Sequence, residues 1–188
     1  MSGCAFCLDA WADETANTTK QEREVIMISQ NIQEAFNKQI NAELYSSYLY
    51  LSMAACFESL NLPGFANWMK VQAREENEHA MKLFEHIVQR GGEVELESID
   101  KPKVKWESAV EAIEDALNHE KKVTGMINDL VDLAAKENDH AAGVLLQWFV
   151  SEQVEEEANA DDLLQKLKMV GTSGAPLLML DQQVGKRE

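Results

Sequence analysis

The sequence predicts an all-α chain: a four-helix bundle with a long crossover between the second and third helices and a short fifth helix near the C-terminal end. Three observations carry this reading. Four long runs place apolar side chains every three or four positions, the period of an amphipathic helix. Only three prolines occur, Pro63, Pro102 and Pro176, and each falls where a turn is expected. The two halves also repeat each other at an offset of 77, with Asn61 matching Asn138 (138 − 61 = 77).

Residues 1–28 read as a tail without sustained periodicity. Cys4-x-x-Cys7 has the spacing of half a zinc site or of a redox pair, but no second such pair follows, and a plain tail is the simpler reading. The bundle is expected over residues 29–172. The first helix starts near Ser29 and carries the stripe Ile32, Phe36, Ile40, Glu43, Ser47, Tyr50, Ala54 and Phe57, ending near Glu58. Asn61 to Gly64 forms the turn, and Pro63 suits the opening of the second helix. That helix shows Phe65, Met69, Gln72, Glu76, His79, Leu83 and Ile87, and stops at Gly91-Gly92.

A non-helical connector runs from Gly91 to about Trp106, long enough to cross the length of a bundle. Ser108 caps the third helix with Glu111 at the capping-box position. Its stripe is Ile113, Leu117, Glu120, Thr124, Ile127, Val131 and Ala134, and Asn138-Asp139-His140 makes the next turn. The fourth helix carries Ala142, Leu146, Phe149, Gln153, Glu156, Ala160, Leu163, Leu167 and Val170, and ends at Gly171. Residues 173–188 hold the short apolar fifth helix, from Pro176 to about Val184, and a polar end.

Each long stripe is apolar except near its middle, where polar groups intrude: Glu43, then Glu76 and His79, then Glu120, then Gln153 and Glu156. A buried carboxylate costs several kcal/mol unless it is paired or binds a metal. Glu43 lies 18 positions before Asn61 and His79 lies 18 after it; Glu120 and Glu156 stand the same way about Asn138. Antiparallel pairs joined at those turns bring all of these residues to one level. Carboxylate di-metal bundles place single Glu residues on two helices and Glu-x-x-His on the other two; here the fourth helix departs, offering Gln153-x-x-Glu156. Carboxylates with one imidazole and no thiolate suit iron or manganese.

The formal net charge is −16, from 17 basic and 33 acidic residues. Such a surface argues against nucleic acid and anionic membranes as partners and favours cations. No segment approaches the roughly 20 apolar residues of a membrane span. The first residues lack the pattern of a secretory signal, and three cysteines make no disulfide framework, so a cytoplasmic protein is expected, with organellar import still open.

Over nearly everything from Ile28 to Val184 the sequence resembles ferritin. The likeness rests on the runs Asn41–Tyr50, Arg74–His79, Gln89–Gly92, Leu117–Glu120 and Ser151–Glu157. The resemblance implies a ferritin-like bundle that assembles as a hollow homo-oligomer of 24 subunits. It implies a ferroxidase that oxidises Fe(II) with dioxygen and stores Fe(III) mineral inside the cage. By position, Glu43, Glu76 and His79 would hold a first iron. Glu76 would bridge to a second, held also by Glu120 with Gln153 near it, and Glu156 would complete or transiently occupy that side. Tyr50 matches the tyrosine beside the centre.

Departures narrow the subtype to the non-haem bacterial kind. Glu156 stands where bacterioferritins and rubrerythrins have His, and Asn77-Glu78 fill the gap where bacterioferritin has its haem-ligating Met, so no haem is expected. Glu75, Glu152 and Glu155, each one residue off the stripe, match a bacterial third iron site; a solvated acidic face is the other reading. Gly143 and Leu146 stand where animal cages line their threefold pores with acids. Met53, Met69, Met81 and Met126 read as packing rather than as ligands. A peroxide-reducing or oxygenating di-iron protein and a light-chain-type subunit that only nucleates mineral are the competing readings. The first wants an added rubredoxin-like domain or a substrate pocket, and the second loses ligands that are kept here.

Overall fold

The computed structural model describes residues 27–171 and 173–187. Cys4, Cys7 and most of the expected tail lie outside the described residues. The five helices are α1 (Gln30–Ser59), α2 (Pro63–Gln89), α3 (Ala109–Glu137), α4 (His140–Val170) and α5 (Ala175–Val184). Each lies within a residue or two of its expected bounds. No described helix is long and apolar enough to cross a membrane.

The turns repeat as closely as the sequence does. Asn61 and Asn138 have φ of 58° and 57°, and they are the two non-glycine residues at positive φ among those described. Asn tolerates the left-handed conformation that ends a helix and reverses the chain. Arg90 then clamps the two hairpins together, donating to Asp139 Oδ1 and Oδ2 at 2.8 and 3.0 Å and to the Met27 carbonyl at 3.2 Å. Ile28, just ahead of α1, already packs into the core.

The crossover holds no helix or strand, yet its backbone is satisfied by one polar face of α1. Gln33 accepts from the Glu93 amide, Asn37 bonds Glu93 and Glu95, Asn41 donates to the Ser98 carbonyl, and Ser52 to that of Lys103. Gln33, Asn37 and Asn41 are four apart and so share a helix face. Ten residues of extended chain and nineteen of helix both span about 30 Å, so the connector runs along α1 and returns the chain for α3 to start. Ser108 caps α3 as expected, accepting from the Glu111 amide at 3.1 Å. The expected return bond differs: Glu111 Oε2 accepts from Glu107, one residue further back, while Lys103 holds its other oxygen at 2.8 Å.

The short helix α5 covers the start of α2. Leu62 gives α2 no side-chain cap, and Asp181 of α5 supplies one, accepting from the Phe65 amide at 2.9 Å. The approach is so close that a Cβ on Gly64 would lie 1.8 Å from the Asp181 carbonyl oxygen, so no larger residue fits there. Met53 and Met69 pack in the core as expected; Met81 is instead 42% exposed, on the outer side of α2.

The core is divided. One apolar cluster gathers Leu49 to Phe57, Leu62 to Ala73, Trp106 to Leu117 and Ala160 to Leu180. The other gathers Ile28 to Ile40, Ala80 to Ile87, Val123 to Ala134 and Ala142 to Phe149. Between them, on all four long helices, the buried residues are polar.

Candidate metal centre

The layer between the two clusters contains Glu43 of α1, Gln72, Glu76 and His79 of α2, Glu120 of α3, and Gln153 and Glu156 of α4. All are at most 4% exposed. The apolar clusters above and below shut water out, so each carboxyl must find its partners inside the bundle.

Glu43, Glu76 and His79 come closest. They can present one ligand atom each with all three atoms within 4.8 Å, and among the described residues this is the one such group of His, Cys, Asp or Glu. His79 Nδ1 lies 3.3 Å from Glu76 Oε2, the one-turn contact that the Glu-x-x-His spacing dictates. Glu43 Oε1 accepts from Gln39 Nε2 at 2.9 Å. Its Oε2 is the one buried side-chain polar atom among the described residues without a hydrogen-bond partner. A buried oxygen left open toward a second carboxylate and an imidazole is a position for a cation.

The other side of the layer is held by hydrogen bonds. The Tyr50 hydroxyl donates to Glu120 Oε1, and Gln153 Nε2 donates to Glu120 Oε2 at 3.2 Å. Gln153 also reaches Thr124 Oγ1 at 3.3 Å, which fixes its amide so that the nitrogen faces Glu120. Glu156 Oε2 accepts from Gln72 Nε2 at 2.7 Å. The sequence stripe contains Gln72, but its role as the support of Glu156 has no signature in spacing.

The electrostatics follow from burial. Desolvation raises the Glu43 carboxyl to about 7, against the lowering effect of Gln39 and of the neighbouring Glu76 carboxyl, with the negative charge of Glu156 adding a smaller rise. Burial likewise raises Glu120 to about 7, with Tyr50 pulling the other way. Glu76 is pushed well above the carboxylate range by burial and by the charges of Glu43, Glu120 and Glu156. Glu156 is raised too, chiefly by burial. Desolvation, with Lys82 adding, lowers His79 to about 4. The imidazole is therefore neutral at ordinary pH and free to ligate, and four carboxyls crowd one layer.

Glu75, Glu152 and Glu155 flank this layer. Glu75 and Glu152 are half-buried and Glu155 is exposed. Glu152 is raised by partial burial and then by the charges of Glu155 and Glu75, so the three acids share one field. Their ligand atoms are not brought together as those of the first group are. Arg187 Nη2, beyond the end of α5, instead bonds Glu75 Oε2 at 2.6 Å.

Three neighbours of the layer have no signature in the sequence pattern. Trp148 meets the His79 ring edge-on at 5.3 Å, and Lys82 lies 4.3 Å from the Trp148 ring centroid. His119 Nε2 is 2.7 Å from Ser46 Oγ, with its ring 6.1 Å from that of Tyr50. Arg187 is the third, and it sits on the Trp68 ring at 5.0 Å.

Comparison with known proteins points to one family. Residues 33–170 match the ferritin-like domain family. The chain is 43% identical over 161 residues to a bacterial non-heme ferritin of Bacteroides fragilis, covering 86% of this chain and 100% of that protein. It is 38% identical over 159 residues to a probable bacterial non-heme ferritin-like protein of Haemophilus influenzae, covering 85% and 96%. Among solved structures, an open pore ferritin from Archaeoglobus fulgidus superposes with a TM-score of 0.85 at 48% identity, covering 86% of this chain and 99% of that one. A form of that ferritin engineered to be closed gives 0.84 at 49%, covering 86% and 98%. On the domain match and on these identities, this chain belongs to the ferritin family.

Proposed function

We propose that this chain is a ferroxidase subunit of an iron store. It oxidises Fe(II) with dioxygen at a di-iron centre in the polar layer and keeps the Fe(III) product as mineral inside a homo-oligomeric cage. The observation that carries the reading is the layer itself: four buried carboxyls and a neutral imidazole, with one Glu43 oxygen left without a partner. Iron here is the substrate and the cargo.

Glu43, Glu76 and His79 take the first Fe(II), and Glu76 reaches on to a second on the Glu120 side. Gln153 and Tyr50 hold Glu120 in place, so Tyr50 acts by orienting a ligand as well as by standing next to the reacting ions. Glu156, tethered by Gln72, is free on its other oxygen to take up the second ion or release it. The raised carboxyls give up their protons as iron binds, so the entering charge is neutralised inside the layer. Two Fe(II) then supply the two electrons that take one dioxygen to the peroxide level. Glu75, Glu152 and Glu155 form a hard oxygen-donor station next to the layer, suited to Fe(III) in passage.

The assembly is the homo-oligomer of 24 subunits that the family pattern implies. Light scattering checks it together with aerobic iron loading. A particle more than twenty times the 21.1 kDa chain is expected, with ferric absorbance growing as Fe(II) is added. A monomer or dimer would contradict the cage, and a particle that leaves Fe(II) unoxidised under air would contradict the ferroxidase.

A further inference from the structure

The last described residue of the chain touches Glu75, one of the acids beside the centre. Arg187 donates from Nη2 to Glu75 Oε2 at 2.6 Å and from Nη1 to the side-chain oxygen of Gln72. Its guanidinium lies over Trp68, and Asn67 grips the backbone on either side, donating to the carbonyls of Gly185 and Arg187 at 3.3 and 2.9 Å. The charge of Arg187 also acts on Glu152 and Glu156, offsetting a small part of the rise that burial causes in each. One cationic fork thus pairs with Glu75 and Gln72, within electrostatic reach of Glu152 and Glu156, in a chain whose net charge is −16.

We propose that Arg187 is the resident cation of the station formed by Glu75, Glu152 and Glu155, seated there while the subunit is free of iron and displaced when an ion arrives. This rests on reading those three acids as an iron site. The Arg187 side chain is 24% exposed and that of Glu75 35%, so the pair is accessible enough to be exchanged. Arg187 and an iron ion compete for the same Glu75 oxygen, so the arginine sets the concentration at which the third ion enters.

Displacement also reaches the di-iron layer. An amide has one accepting and one donating end. With its oxygen on Arg187, Gln72 must turn its nitrogen to Glu156, which is the bond observed. Once Arg187 leaves, the Gln72 oxygen loses its donor and only the Glu156 carboxylate still orients the amide, so Glu156 is held by a looser partner. Arg187 is therefore a positioning residue for Glu156 through Gln72. Filling of the third site loosens the ligand that passes ions out of the second.

The test is calorimetric titration of the full-length, assembled, iron-free protein with Zn(II), which binds without oxidation. The wild-type protein is expected to take two ions tightly and a third more weakly. Arg187→Gln should tighten the third step by about tenfold, the scale of one charge-assisted competitor removed, with the first step, at Glu43, Glu76 and His79, unchanged. Arg187→Lys, which keeps the charge and loses the fork, should lie between. In the wild type, amide hydrogen exchange over residues 176–187 should accelerate only as the third step saturates. A third step unchanged or weakened in Arg187→Gln overturns the proposal while leaving the acids as a site. The variant with Glu75, Glu152 and Glu155 all changed to Gln should lack the third step. If it keeps that step, the acids are a solvated face and the proposal falls with them.

Discussion

Replacing Glu43 by Gln, or His79 by Ala, is expected to slow the first phase of Fe(II) oxidation by about a hundredfold or more, with fold and assembly retained. Each change removes a donor from the group whose ligand atoms meet within 4.8 Å. In Glu43→Gln the amide can still meet Gln39, but it presents iron with a neutral and weaker donor. The fold should survive because neither side chain carries the packing of the two apolar clusters that flank the layer. The iron-free protein should gain stability in Glu43→Gln, on the order of 1–3 kcal/mol near pH 8, because a buried carboxylate is no longer forced to ionise. Stopped-flow absorbance under air and thermal unfolding of the iron-free protein check the two halves. Unchanged initial rates in both variants would remove these residues from the reaction.

Fe(II) affinity should rise steeply with pH, by about tenfold per unit for each proton displaced. Glu43 and Glu120 are raised to about 7, and Glu76 is raised further, so near pH 6.5 the layer still holds protons that iron must expel. His79, lowered to about 4, contributes no proton in that range. Loading should therefore release protons into a weakly buffered solution at pH 6.5 and fewer at pH 8.5.

The stability of the iron-free protein should run the other way. A carboxyl raised in the folded state favours folding while it is protonated, and that contribution is lost as pH climbs through the folded value. Between pH 4 and 6.5 the lowered imidazoles of His79, His86 and His119 oppose this, because the unfolded chain binds their protons more readily. Above pH 6.5 the histidines lose most of their remaining protons in the unfolded state and the carboxyls dominate. Thermal stability should fall from pH 6.5 to 8.5, and fall less in Glu43→Gln. A flat profile in the wild type would mean that the four carboxyls are not the buried, crowded set described.

The sequence pattern reached the helices and the layer because both depend on spacing alone. Glu43 and His79 stand equally far from Asn61, so a tight turn there fixes their common height whatever the rest of the chain does. The offset of 77 repeats the argument at Asn138, and the backbone repeats it again in the left-handed φ of both asparagines. Partners supplied by distant segments leave no such trace. Nothing in the neighbourhood of Phe65 announces that Asp181 will cap its amide, and nothing near Glu75 announces Arg187. The connector is similar: Gln33, Asn37 and Asn41 look like an ordinary solvated face until an extended chain is laid along them. His119 and Ser46 find each other only because α1 and α3 are adjacent.

The claim at the centre is that the polar layer is an iron site, and diffraction from a crystal of the full chain soaked anaerobically in Fe(II) tests it most directly. Anomalous scattering at the iron edge counts and places the ions without reference to turnover. The expected result is two iron peaks inside the bundle, one bounded by Glu43, Glu76 and His79 and the other between Glu76 and Glu120. Iron confined to surface carboxylates, with Glu43 Oε2 still unliganded and the layer filled by protonated carboxyls alone, would contradict the account.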